Sequence, residues 1–279
     1  MSHRRSNTRS ATLERARERL LDGLGVPTAG KFEIDEFQRE AIANVVDGHD
    51  TLVVAPTGSG KTYIALESIK AVLDLKLRAA YTTPLKALSN TKFNELKKIF
   101  EPKHKVGLLT GDRKIDGDAG VVIATTEIYR NELYRAAERY SLVVLDEVHF
   151  IADPQRGAVW EESIILTPPS TTLLMLSASI SNPDEIAAWV SEARGKPCRI
   201  VIKKDRPVPL RFGFMHPDLG VMPLNSGDGS IFPEVLNYYI GSKLDTSGMR
   251  VQQQGLRGKP WRRSGGGGGG PKRRGRGRS

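Results

Sequence analysis

The segment Ala55-Pro56-Thr57-Gly58-Ser59-Gly60-Lys61-Thr62 combines the residue types that can hold a triphosphate. It follows an apolar run and opens an amphipathic one, the strand-to-helix setting such a loop requires. Gly58 and Gly60 let backbone N–H groups turn inward toward phosphate oxygens, and a helix N-terminus adds its partial positive charge. Lys61 is long enough to reach β- and γ-phosphates, and the Thr62 hydroxyl can ligand Mg²⁺. Ala55 stands where the general pattern has glycine.

A second candidate lies in Leu142-Val-Val-Leu-Asp146-Glu147-Val148-His149, an apolar strand-like run ending in two acids. If this strand runs beside the loop-bearing one, Asp146 enters the Mg²⁺ shell and Glu147 can polarise an attacking water. An acidic pair at a strand end says little alone. Coupled to a phosphate loop about 85 residues upstream, it points to a nucleoside triphosphate with Mg²⁺ and to hydrolysis of the nucleotide.

These groups need a scaffold. Between about residues 30 and 203, short runs apolar on both faces recur at Thr51–Pro56, Ala79–Pro84, Val106–Gly111, Val121–Thr126, Leu142–Glu147, Thr171–Ser179 and Cys198–Ile202. They read as strands of a buried parallel sheet. Amphipathic stretches such as Lys61–Asp74, Leu85–Phe100 and Ile128–Arg139 lie between them. Strand-helix alternation at this pitch predicts an α/β fold with a doubly wound, mainly parallel sheet.

In order along the chain, further segments complete a pattern. Thr82-Thr-Pro84-Leu-Lys86-Ala-Leu-Ser-Asn90-Thr-Lys92, Thr110-Gly111-Asp112, Thr125-Thr126-Glu127 and Ser177-Ala178-Ser179 accompany the loop and the Asp146-Glu-Val-His149 tetrad. Together they resemble the DExH-box (DEVH) helicases of superfamily II. Asp153-Pro-Gln-Arg-Gly157-Ala-Val-Trp-Glu161 is most similar to the superkiller-type branch, which includes exosome-associated RNA helicases. The resemblance covers about residues 30–215.

It implies a RecA-like P-loop NTPase domain, the first of a helicase's two motor domains, with ATP and Mg²⁺ as cofactors. It implies adenine contact at Phe32 and Gln38, and catalysis by Lys61, Asp146, Glu147 and His149. His149 would link the γ-phosphate site to the coupling motif Ser177-Ala178-Ser179. Nucleic-acid contact is implied at Pro84, Lys86, Asn90, Thr110, Gly111, Thr125, Thr126 and Arg130. Such positions lie just past strand ends, where open α/β sheets bind ligands, and suit a ribose-phosphate backbone read without sequence. Each could instead serve as a local helix cap or turn residue, and Trp160 and Trp189 read as packing.

Composition bounds the rest. The formal charge of +10 is concentrated at both ends: ten cations and no acid in residues 246–279, and six arginines against Glu14 and Glu18 in residues 1–20. The stretch between is left at −4. This suits a polyanionic partner met by basic arms, single-stranded RNA or DNA. The single Cys198 excludes an intrachain disulfide and reads as a buried thiol. With no long apolar run and no secretory leader, a membrane partner is not expected and a cytoplasmic setting is, although residues 1–13 share the Arg/Ser-rich, acid-poor composition of transit peptides.

The expected organisation is a basic N-terminal segment at 1–24, the ATP-binding domain at 25–205, an extended linker at 206–245 opening toward a second domain, and a disordered Arg/Gly-rich tail at 246–279. Trp261 among Lys259, Arg262 and Arg263 makes the tail a candidate RNA contact. Gln252–Lys259 faintly echoes the helicase arginine-finger motif but lacks its first arginine and any strand-helix scaffold. The family's second motor domain would then come from a partner protein. Three functions stay open: an ATP-dependent helicase-type enzyme, RNA favoured over DNA and weak alone; a nucleic-acid adaptor without turnover; and a non-functional fragment of a longer helicase.

Overall fold

The computed structural model describes residues 14–22, 33–206, 210–217, 220–225, 230–232 and 235–238. Phe32, Gln252–Lys259, Trp261 and the whole 246–279 segment lie outside the described residues. Two compact units divide the chain, one spanning Thr28–Pro209 and the other drawing on residues 1–27 and 210–279.

The larger unit is an eight-stranded sheet with helices on both faces. Its strands are β1 (Asp50–Val54), β2 (Ala79–Thr83), β3 (Val106–Leu109), β4 (Lys114–Ile115), β5 (Val121–Thr125), β6 (Leu142–Leu145), β7 (Thr172–Ser177) and β8 (Cys198–Ile202). Its helices are α1 (Glu36–Val46), α2 (Lys61–Asp74), α3 (Lys86–Phe100), α4 (Thr126–Leu133), α5 (Gly157–Leu166) and α6 (Pro183–Arg194). The strand order is β4-β3-β5-β2-β6-β7-β1-β8, and every pairing is parallel except β3 with β4. All seven apolar runs are strands. The two-residue β4 is too short to leave a pattern in the sequence.

Burial follows the strand period of two. Val121 and Ile123 pack with Ile64, Ile69, Phe93 and Leu96 of α2 and α3, whereas Val122 and Ala124 face Tyr129, Trp160 and Ile164 of α4 and α5. Continuous burial of the inner strands is what coverage of both faces demands. The helix expected over Ile128–Arg139 starts at Thr126 and stops at Leu133. Its end is closed by N–H groups of Tyr134, Arg135 and Ala136, all accepted by the Glu132 carbonyl. Arg139 is then drawn to Glu132 and Asp118.

The start of β1 is pinned by a buried charge. Asp50 accepts from Arg194 Nε at 2.6 Å and from the Leu173 N–H at 2.8 Å, with Lys196 Nζ 3.1 Å away. Beside it, burial and then the Asp50 carboxylate push the Cys198 thiol up to about 12. At pH 8 its thiolate fraction should be roughly a thousandth of an ordinary thiol's. Iodoacetamide labelling of the folded chain should slow by the same factor. Labelling at the rate of a free thiol would show the β8 edge to be open.

Within 206–245, where an extended linker or the start of a second domain is expected, the smaller unit holds a strand pair. Strands β9 (Gly213–His216) and β10 (Gly220–Pro223) pair antiparallel there. Phe214, Met222, Leu224, Phe232 and Val235 form an apolar cluster with Ala16 of a helix at 14–21. The basic N-terminal segment therefore contributes a helix, whose last carbonyls, at Arg19, Leu20 and Asp22, accept from the Arg211 guanidinium. Dense Gly and Pro concealed this alternation of apolar residues in the sequence.

Candidate nucleotide and nucleic-acid site

Parallel strands end at one edge of the sheet, and the loops after β6, β7 and β1 carry Asp146, Ser177-Ala178-Ser179 and Ala55–Thr62 there. The expectation that β6 lies beside β1 is corrected: β7 separates them. Two strand spacings are about 10 Å, a gap that a lysine side chain and a phosphate group can bridge.

The loop is built by its glycines. Gly58 and Gly60 both have φ of 85°, a region that side-chain-bearing residues rarely adopt. A Cβ on Gly60 would lie 2.3 Å from Gln38 Nε2. The turn is closed by the Ser59 N–H and hydroxyl, both donating to the Pro56 carbonyl, at 3.2 and 2.7 Å. Ala55 N–H donates to the Ser177 carbonyl at 3.0 Å, fastening the loop to the β7 end. Lys61 Nζ donates to the Ala55 and Pro56 carbonyls at 2.7 and 3.2 Å, so its ammonium spans the loop mouth. Burial lowers the Lys61 pKa, opposed by Glu147 and then Asp146.

Gln38 is buried and its amide is fully engaged. Its Oε1 accepts from the Asp35 N–H in a capping box, and its Nε2 donates to the Ser59 and Gly60 carbonyls at 3.1 and 3.4 Å. It braces the loop against the start of α1. The Asp35-x-x-Gln38 spacing is the sequence signal for that brace.

Lys61, Thr62, Asp146 and Glu147 converge on one cavity of about 450 Å³. One face of α3, at Leu88, Thr91, Lys92 and Glu95, forms its far wall. The sequence reading gave no role to this face, although the i, i+3, i+4, i+7 spacing marks it. Lys92 Nζ donates to Thr62 Oγ1 at 3.3 Å and to Glu95 at 2.9 Å. Asp146 accepts from the buried Tyr81 hydroxyl at 2.6 Å and from the Glu147 N–H at 3.0 Å. Tyr81 was legible only as a core strand residue; burial, then Asp146, drives its pKa well up, so it acts as a fixed donor.

Glu147 has φ of 55°, an uncommon backbone state for a glutamate that the surrounding fold must impose. Its Oε2 is buried and lies 3.3 Å from His149 Nδ1, yet neither atom makes a well-directed hydrogen bond. A buried carboxylate oxygen with bonding capacity to spare, beside a glycine cradle, fits a site for a hydrated phosphate group. Among the described residues no cluster of three His, Cys, Asp or Glu could hold a metal unaided. Thr62 and Asp146 could supply the protein ligands of a Mg²⁺ held chiefly by phosphate oxygens and water. His149 and Ser179 line a second cavity of about 450 Å³, and Ser177 is buried with its hydroxyl 3.3 Å from the Ser179 carbonyl.

The other expected set follows β2, β3 and β5, three adjacent strands. Lys86 Nζ lies 3.5 Å from Asp112, Arg113 donates to Asn90 at 2.8 Å, and Thr110 donates to Asp112 at 2.9 Å. Pro84, Lys86, Asn90, Thr110 and Gly111 thus share one rim. Thr125 and Thr126 are buried, with the Thr126 hydroxyl spent on the Thr83 carbonyl at 3.2 Å. Arg130 is drawn away to Glu162 of α5.

Comparison with known proteins agrees with this architecture. The chain is 47% identical over 192 residues to the chloroplastic DExH-box ATP-dependent RNA helicase DExH15 of Arabidopsis thaliana, a match covering 66% of this chain and 16% of that protein. It is 41% identical over 182 residues to the antiviral helicase SKI2 of Saccharomyces cerevisiae, covering 64% and 14%. The chain therefore spans about a sixth of the length of these relatives. The crystal structure of the DUF1998 helicase MrfA bound to DNA matches the fold at a TM-score of 0.52, over 69% of this chain and 30% of that one, with 22% identity. Residues 35–186 match the family model for DEAD/DEAH box helicases, and this chain belongs to that family.

Proposed function

We propose that the chain binds ATP·Mg²⁺ in the cavity between the 55–62 loop and Asp146-Glu147, binds single-stranded nucleic acid along the Pro84–Gly111 rim, and hydrolyses the nucleotide. The observation that carries this reading is the convergence of Lys61, Thr62, Asp146 and Glu147 on one cavity. The bound nucleotide supplies the phosphoanhydride, and Mg²⁺ screens its charge. Loop N–H groups and Lys61 hold the phosphates. Thr62 and Asp146, the latter fixed by the Tyr81 hydroxyl, would hold Mg²⁺, and Glu147 would take a proton from the water that attacks the γ-phosphorus as its bond to the leaving nucleoside diphosphate breaks.

Gln38 and Phe32 would flank the adenine, and His149 with Ser177-Ala178-Ser179 would pass the state of the site onward. Thr125, Thr126 and Arg130 would serve the rim by shaping it. RNA is favoured over DNA because the relatives named RNA helicases match so much of the domain, with single-stranded DNA the alternative. The cations lining the cavity among the described residues are Lys61 and Lys92, with no arginine. Full turnover then depends on an arginine brought across the open side by a second RecA-like domain, in a partner protein or in a longer form of this one. A cytoplasmic setting agrees with the lone thiol. No helix among the described residues is long and apolar enough to cross a membrane.

The test is ATP hydrolysis by the intact chain with no nucleic acid, with single-stranded RNA and with single-stranded DNA, repeated for Glu147→Gln. A slow rate raised by RNA and reduced about 100-fold by the substitution is expected. A rate indifferent to both would leave a nucleic-acid adaptor without turnover.

A further inference from the structure

The segment Asp153-Pro-Gln-Arg-Gly157-Ala-Val-Trp160 has no part in either half of the proposed site, yet it bonds the rim and packs on the ring next to His149. Arg156 is held in a fixed pose. Its N–H and that of Gln155 both donate to Asp153 Oδ1, at 3.1 and 2.8 Å. The next residue is glycine because a Cβ at Gly157 would lie 2.3 Å from the Ile151 carbonyl oxygen. The start of α5 is thereby pressed against the short helix Val148–Ala152 that follows the acidic pair.

From this pose the Arg156 guanidinium faces two ways. It donates to the Pro84 carbonyl, 72 residues away, in the loop that opens α3 on the nucleic-acid rim. It also lies over the Phe150 ring at 5.2 Å and the Trp160 ring at 5.8 Å. Phe150 stacks on Trp160 at 5.6 Å and 19°, and on His149 at 5.0 Å and 28°. His149 Nδ1 is 3.3 Å from the Glu147 carboxylate. An unbroken series of contacts therefore runs from the Pro84 carbonyl through Arg156, Phe150 and His149 to Glu147.

The links made by Arg156 resist sliding. A planar guanidinium over a ring is held by electrostatic and dispersion attraction, and the fork geometry fixes the carbonyl it bonds. The Pro84 loop is also tied below, where Thr83 Oγ1 donates to the Leu85 carbonyl at 3.1 Å and lies 2.7 Å from Ser89 Oγ. A bound strand that displaced this loop would therefore pull on the guanidinium, and through it on the stack beside His149.

Building on the proposed function, we propose that Arg156 is a positioning residue that couples nucleic-acid occupancy of the Pro84 loop to the setting of Glu147 and His149 at the nucleotide site. Arg156 touches neither nucleotide nor reacting water. Its removal should leave each ligand able to bind alone and abolish their mutual effect, since coupling between two sites is reciprocal and separable from affinity.

The experiment is a linkage titration on the intact chain. Affinity for a non-hydrolysable ATP analogue with Mg²⁺ is measured with and without a saturating short single-stranded oligouridylate, for wild type, Arg156→Met and Arg156→Lys. Wild type should bind the analogue about fivefold more tightly with the oligonucleotide present, at the low end of usual allosteric factors. Both variants should show a ratio of about one, with each separate affinity within about twofold of wild type. Lysine keeps the charge and loses the stacking plane, so it serves as the readout if methionine impairs folding. Retention of the wild-type ratio in Arg156→Lys overturns the proposal, as does a wild type that binds both ligands with no coupling. Failure of wild type to bind the analogue at all would instead overturn the nucleotide-site reading on which it rests.

Discussion

Replacing Lys61 by alanine should weaken ATP·Mg²⁺ binding by about 100-fold while leaving thermal unfolding nearly unchanged. The ammonium spans the loop mouth, 2.7 Å from the Ala55 carbonyl and near Asp146 and Glu147. Charge-assisted hydrogen bonds to phosphate oxygens contribute about 1.5–3 kcal/mol, and 2.7 kcal/mol corresponds to about a hundredfold in Kd. Stability should not follow, because burial is the largest influence on this lysine and it disfavours the charged form. Removing the side chain therefore relieves a desolvation cost that offsets the loss of its two backbone hydrogen bonds. Calorimetric titration with ATP·Mg²⁺, paired with a melting curve, checks both halves. An affinity within threefold of wild type would sink the nucleotide-site assignment.

Arg194→Met should have the opposite profile, lowering stability by about 3–5 kcal/mol with no direct effect on ligand contacts. Arg194 closes α6 and is fully buried together with Asp50. Besides its 2.6 Å bond to Asp50, it donates to the carbonyls of Ile164, Thr167, Pro168 and Thr171. One side chain thus ties the start of β1 to the end of α5 and the turn into β7. Truncation leaves four carbonyls and a buried carboxylate short of partners, with only Leu173 N–H and Lys196 left on Asp50. For a domain of this size the unfolding midpoint should fall by about 10 °C. Arg194→Lys should recover little, since a single ammonium cannot reach the same acceptors. A midpoint within 2 °C of wild type for Arg194→Met would show the cluster to be energetically idle.

The two substitutions mark the difference between what was legible in the sequence and what was not. Lys61 was readable because a phosphate loop is a local device: two glycines, a lysine and a threonine at fixed offsets, between a strand pattern and a helix pattern. The sheet was readable for a similar reason, since seven apolar runs bounded by amphipathic stretches leave few other arrangements. Arg194 was not, because its partner Asp50 is 144 residues away and nothing in either neighbourhood names the other. The Arg156–Pro84 bond spans 72 residues and is equally silent. Gln38 shows an intermediate case. The resemblance implied a ligand contact, and the fold uses its amide to brace Ser59 and Gly60.

By itself, then, the sequence determined the residue patterns of the loop and the acidic pair and the alternation that builds an α/β sheet, because each is written in spacings of a few residues. Tertiary structure alone decided that β7 separates the acidic strand from the loop strand, that Lys92 faces the cavity while the buried Tyr81 hydroxyl bonds Asp146, and that Arg130 turns toward Glu162 rather than the rim. It also decided that Gly213–His216 and Gly220–Pro223 pair as strands. These outcomes depend on which distant surfaces meet, and side chains find their partners only after burial has fixed the order of the strands.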